Sequence, residues 1–121
     1  MPDASFVILY VDNPARSAEF YAGLLDRAPL ESSPTFAMFA LRDGMMLGLW
    51  SRHTVQPAAA AAGGGGEVAF TVATPGDVDD TCRQWRDKGL PVLQAPVDLD
   101  FGRTFVALDP DGHRLRVLAS A

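Results

Sequence analysis

The chemistry open to this chain shows first in side chains spaced two apart. Phe6, Ile8 and Tyr10 stand at alternate positions, as do Met46, Gly48 and Trp50. Phe36 and Met38 form a third such set, and Phe101, Arg103 and Phe105 a fourth. On extended strands each set shares one face. Gly48 beside Trp50 leaves room for a flat object against an indole face. A large apolar lining with few polar groups suits binding of a small molecule better than hydrolysis. The competing reading is that Phe6, Ile8 and Tyr10 are core, and that Trp50 serves the core or a dimer contact. Trp50 is followed by Ser51, Arg52 and His53, a polar neighbourhood that a purely buried residue rarely has.

The common catalytic sets are missing. Cys82 falls on the core side of an expected helix, so neither a Cys/His nor a Ser/His/Asp arrangement can be assembled. The glycines at 63–66 lack a following Lys-Ser or Lys-Thr and make no phosphate-binding loop. His113 comes just after a turn and reads as a solvated hairpin residue.

The elements that must position these residues are marked by local signals. Residues 5–11 are β-branched and aromatic, which predicts a buried strand. Asn13-Pro14 pairs a helix-capping residue with proline at the first helical position, and Ser17, Phe20, Tyr21, Leu24 and Leu25 recur at helical spacing. The prediction is a helix over 14–25. Weaker strand signals cover 30–33, 36–42 and 45–51, with Asp43-Gly44 as a tight hairpin turn between the last two. The alanines and glycines of 57–66 predict a flexible linker.

The pattern then restarts. A strand over 67–72 leads to Thr74-Pro75 and a helix over 75–88 carrying Val78, Cys82 and Trp85, which Gly89 closes in the left-handed conformation. Trp85 is expected in the core. Strands follow at 92–94, 104–108 and 114–118. Asp109-Pro110-Asp111-Gly112 joins the last two as a hairpin with a bulge, which puts Leu115 and Val117 on one face and Arg114, Arg116 and Leu118 on the other. The offset from Pro14 to Pro75 also pairs Val7 with Val68, Val11 with Val72 and Leu24 with Trp85, an internal repeat of one supersecondary unit. The fold class expected is α+β. It has two tandem βαβββ modules, 5–56 and 67–121, joined by the linker 57–66 in one domain.

Tandem βαβββ halves, with Val11, Ser17-x-x-Phe20-Tyr21, Gly102-Arg103 and Asp109-Pro-Asp-Gly112 in this order, resemble the vicinal oxygen chelate superfamily. That superfamily includes glyoxalase I, extradiol dioxygenases, fosfomycin-modifying transferases and bleomycin-binding resistance proteins. The resemblance covers nearly the whole chain. It implies mixed sheets curled into cups with helices outside, paired in a homodimer. It also implies a metal held by His and Glu from strands lining the cup. The matching positions here hold Phe6, Gly48 or Trp50, Glu67 and Arg116. One oxygen ligand survives and a cation replaces another, so no metal and no other cofactor is expected.

Within the superfamily, the segments around Tyr10-Val11, Arg16-Ser17, Trp50-Ser51, Asp77-Val78-Asp79 and Phe101-Gly-Arg-Thr-Phe105 resemble bacterial phenazine-antibiotic resistance proteins. That implies a planar aromatic ligand bound without metal. Trp50 would be the stacking platform, and Arg103 would meet a carboxylate or phenolic oxygen through its planar fork of donors. The site so expected comprises Trp50, Arg103, Phe101, Phe36, Met38, Met46, Phe6, Tyr10, Glu67 and Arg116. Binding or sequestration of an aromatic antibiotic or metabolite is expected rather than catalysis. The alternatives are a glyoxalase- or dioxygenase-like enzyme with an atypical or absent metal site, and a metal-free enzyme with Glu67 as base. For the second, the competing reading is a Glu67–Arg116 ion pair.

Composition narrows the partners. A net charge of −5 over 121 residues disfavours nucleic acid. The apolar run 6–11 is too short to cross a bilayer, and with a lone cysteine and no leader pattern the expected location is cytoplasmic.

Overall fold

The computed structural model describes residues 2–120. The chain divides into two compact units, Met1–Ala61 and Ala62–Ala121, with the boundary inside the Ala/Gly stretch.

The first unit runs β1 (Phe6–Val11), α1 (Pro14–Leu25), β2 (Glu31–Ser32), β3 (Phe36–Ala40) and β4 (Met46–Ser51). Asn13 caps α1 by accepting the Arg16 backbone N–H on its side chain at 3.2 Å, with Pro14 opening the helix. The strands form one sheet in the order β1-β4-β3-β2, parallel between β1 and β4 and antiparallel elsewhere. α1 packs on one face, against β2, β3 and β4. Val11, Ala37, Phe39, Leu47 and Leu49 are buried there with Ala18 and Tyr21 of the helix, which is the apolar burial that holds the unit together.

The second unit repeats the plan with β5 (Glu67–Thr71), α2 (Pro75–Asp87), β6 (Val92–Leu99), β7 (Gly102–Leu108) and β8 (Arg114–Ser120), in sheet order β5-β8-β7-β6. Thr74 and Asp77 form a reciprocal capping box at the start of α2. Gly89, at φ 89°, ends the helix, with Leu90 N–H on the Trp85 carbonyl and Gly89 N–H on that of Arg86. Trp85 is buried between the rings of Phe70 and Phe105, each in edge contact at 5.4 Å. Cys82 lies in the same core, and burial pushes its thiol pKa up.

Several expectations need correction. Each sheet is an open layer of four strands with two free edges, β1 and β2 in one and β5 and β6 in the other, not a sheet curled into a cup. The turn at 42–44 is wider than a two-residue hairpin. Asp43 and Gly44 both take positive φ, and Leu41 N–H bonds the Met45 carbonyl. The β7–β8 ladder carries no bulge, since its register is unbroken from Gly102↔Ser120 to Leu108↔Arg114. The irregularities lie between β6 and β7 instead, and β6 extends to Leu99. Pro96 is tolerated because β6 is an edge strand, where a missing N–H breaks no second ladder.

Candidate ligand-binding site

In the first unit the face turned away from α1 is built as cross-strand rows. Tyr10, Trp50 and Phe36 are register partners across β1, β4 and β3. Ile8, Gly48 and Met38 make the next row, then Phe6, Met46 and Ala40. Phe6, Ile8 and Tyr10 are exposed by 45%, 42% and 41%, and Phe36, Met38, Met46 and Trp50 are half-buried. The first-unit residues singled out from the sequence thus share one surface, and β1 supplies its exposed margin rather than core.

The surface is shaped by Gly48. A Cβ placed there would lie 3.0 Å from Phe36 Cζ and 3.3 Å from Ile8 Cγ1. The bare glycine admits the Phe36 ring, which meets Trp50 edge-on at 6.2 Å between centroids and 87° between planes. The space at Gly48 is therefore taken by Phe36, not left open beside the indole. Edge-to-face packing of this kind is favourable for two aromatic quadrupoles.

One step beyond Tyr10 and Trp50 the rows become polar. Burial keeps alternating through Tyr10, Val11 and Asp12 and through Trp50, Ser51 and Arg52. The Arg52 backbone N–H bonds the Val11 carbonyl at 2.8 Å, which carries the pairing past the end of β4. Asp12 Oδ1 receives His53 Nε2 at 2.7 Å and Arg52 Nη2 at 3.4 Å. An ionised carboxylate only accepts, so the imidazole Nε2 carries the hydrogen. The His53 hydrogen bond, aided by the charges of Arg52 and His53, holds the Asp12 carboxyl below its ordinary pKa. From the sequence, Arg52 and His53 stand out only as a polar neighbourhood of Trp50, and Asp12 does not stand out at all. The signal was the same alternation, continued one position past each strand.

In the second unit Arg116 is the organising cation on the face opposite α2. Its Nε donates to Glu67 Oε1 at 2.6 Å and its Nη1 to Thr104 Oγ1 at 3.1 Å, and its guanidinium lies 6.0 Å from the Phe101 ring centroid. Glu67, Arg116 and Phe101 are thus brought together. Arg103 is not with them. Its side of β7 is that of the buried Phe105, facing α2, where it donates to Asp79 at 2.9 Å and to Asp98 at 3.1 Å. Those two bonds, Asp79 first, raise its pKa. Arg103 fastens α2 and β6 to β7, and the sequence-based expectation of a ligand contact had placed it on the wrong side of the strand.

A divalent metal does not fit the residues at the superfamily's ligand positions. Phe6 and Gly48 or Trp50 offer no donor atom, Arg116 is a cation, and the Glu67 carboxylate is engaged by that cation. Among the described residues, no group of three or more His, Cys, Asp or Glu is placed to hold a metal. No described helix is long and apolar enough to cross a membrane.

Comparison with known proteins agrees with this architecture. Residues 4–117 match the Glyoxalase/Bleomycin resistance protein/Dioxygenase superfamily. The phenazine antibiotic resistance protein EhpR of Enterobacter agglomerans is 29% identical over 113 residues, spanning 91% of this chain and 86% of that protein. A protein of Agrobacterium tumefaciens solved by NMR in solution is 55% identical, with a TM-score of 0.92 over 100% of this chain and 99% of that one. A glyoxalase/bleomycin resistance protein/dioxygenase from Nocardioides is 25% identical, with a TM-score of 0.81 over 99% of this chain and 84% of that one. The expected pairing into a homodimer finds no support in the likeness to that solution structure. This is a small-molecule-binding fold without a recognisable metal cluster among its described residues, and the chain belongs to the Glyoxalase/Bleomycin resistance protein/Dioxygenase superfamily.

Proposed function

We propose that this protein binds a planar aromatic molecule, such as a phenazine, without transforming it, on the face of the first sheet opposite α1. The observation that carries the reading is the row Tyr10–Trp50–Phe36, flanked by Ile8, Met38, Met46 and Phe6, with Phe6, Ile8 and Tyr10 each more than two-fifths exposed. The 29% identity to a phenazine resistance protein supports the choice of ligand. Burying about 200 Å² of ligand apolar surface is worth ~5 kcal/mol before association costs. Aromatic contact with Trp50 adds roughly 0.5–1.5 kcal/mol, which brings micromolar binding within reach. The reading also takes the protein to be cytoplasmic and without a nucleic-acid partner, the latter supported by its net charge of −5.

The test is a titration with phenazine followed by tryptophan fluorescence. Trp50→Ala should weaken binding at least about tenfold and remove most of the quenching. Trp85→Phe, which alters only the interior of the second unit, should leave affinity nearly unchanged. Equal affinity of the parent and Trp50→Ala would refute the site, and steady consumption of the ligand would refute binding without turnover.

A further inference from the structure

We infer that Arg52, with His53 beside it, reads an acidic substituent on the ligand, so that the preferred class is a flat aromatic acid rather than a neutral polycycle. This rests on the aromatic-binding reading of the same sheet face. Asp12 and Arg52, one residue past the ends of β1 and β4, continue the alternation of Tyr10 and Trp50, so the polar pair borders the aromatic row. That row runs across the strands, so a molecule stacked on it has the Asp12 and Arg52 positions along one of its sides.

The arrangement at that end suits an anion better than a closed ion pair would. Arg52 Nη2 reaches Asp12 Oδ1 at 3.4 Å, a long contact, while His53 holds the same oxygen at 2.7 Å. A guanidinium carries five N–H donors in a rigid fork, so most of Arg52 stays available to a second carboxylate. Arg52 is 53% exposed in its side chain, so meeting a ligand requires no opening of the fold. By contrast, Arg103 spends both of its contacts on Asp79 and Asp98, and Arg116 is tied to Glu67 and Thr104. The chain's net charge of −5 gives no general attraction for anions, so a preference for an acid must be local.

The experiment compares phenazine with phenazine-1-carboxylate by fluorescence titration at pH 7.5, against the parent, Arg52→Gln and Arg83→Gln. Arg83 lies on the exposed side of α2 and provides a variant of the same net charge. The parent should bind the carboxylate about tenfold more tightly than the neutral ring. Arg52→Gln should erase that preference by weakening the carboxylate far more than the neutral ring, and Arg83→Gln should keep both affinities as in the parent. A parent without the preference, a preference that survives Arg52→Gln, or one lost equally in Arg83→Gln overturns the inference but leaves the aromatic site standing. Failure of both compounds to bind the parent removes the aromatic site and this inference together.

Discussion

Gly48 decides how Trp50 is presented to solvent. Its lack of a Cβ lets the Phe36 ring lie across β4 and brace the indole edge-on. Gly48→Ala would push Phe36 by several tenths of an ångström, and overpacking of this kind costs about 1–2 kcal/mol. Denaturation should report that loss, and Trp50 emission should shift as its bracing ring moves. Unchanged emission would show that Phe36 does not hold the indole. Asp12 supplies a second prediction at this scale. Its folded pKa lies below the ordinary 3.8 because His53 donates to it. The unfolded chain therefore takes up the proton first on acidification. The stability this pair contributes is fully present above that ordinary value and is lost as pH falls through the lower, folded one. Carboxyl NMR titration should show the Asp12 midpoint rising toward the ordinary value in His53→Ala. A midpoint that does not move would mean the hydrogen bond contributes nothing in solution.

At the scale of elements, the ends of α2 and the β7–β8 turn depend on a few polar bonds. Thr74→Ala removes half of the capping box and should cost about 1 kcal/mol in chemical denaturation. Asp109, nearly buried, accepts the backbone N–H groups of Asp111 and His113 on one oxygen at 2.9 Å each. Asp109→Ala leaves two donors to find other partners and should cost about 1–3 kcal/mol. A loss under half a kilocalorie, which is ordinary for a surface change, would show that water replaces the carboxylate. These elements were legible because their signals are local. Asn13-Pro14 and Thr74-Pro75 start helices, and Gly89 ends one, through bonds spanning a few residues. The length of β6 was not legible. Gln94 to Leu99 hold little apolar pattern and are strand only because β7 lies alongside. The side occupied by Arg103 was misjudged for a related reason. Alternation groups Arg103 with Phe105 but leaves open which face the helix covers. Phe105 against Trp85 settles it.

For the molecule as a whole, the residue types at the superfamily's ligand positions predict that purified, dialysed protein carries no stoichiometric zinc, nickel, manganese or iron. Elemental analysis checks this, and a full equivalent of any of them would mean that donors elsewhere in the chain converge. Periodicity, helix caps and the repeat offset determined by themselves that there are two βαβββ units and which side chains share a strand face, because those properties depend on backbone geometry over a few residues. The chemistry of the superfamily positions was equally plain, since Phe6, Glu67 and Arg116 need only be named. The Glu67–Arg116 ion pair was already a reading of the sequence, whereas tertiary structure alone decided which sheet face each helix covers, that Arg103 turns to the opposite face from that pair, and that Phe36 fills the space above Gly48. It also brought Asp12 to Arg52 and His53 across a parallel strand pair whose members are far apart in sequence. Such convergence is set by strand pairing and burial between distant segments, and no local pattern encodes it.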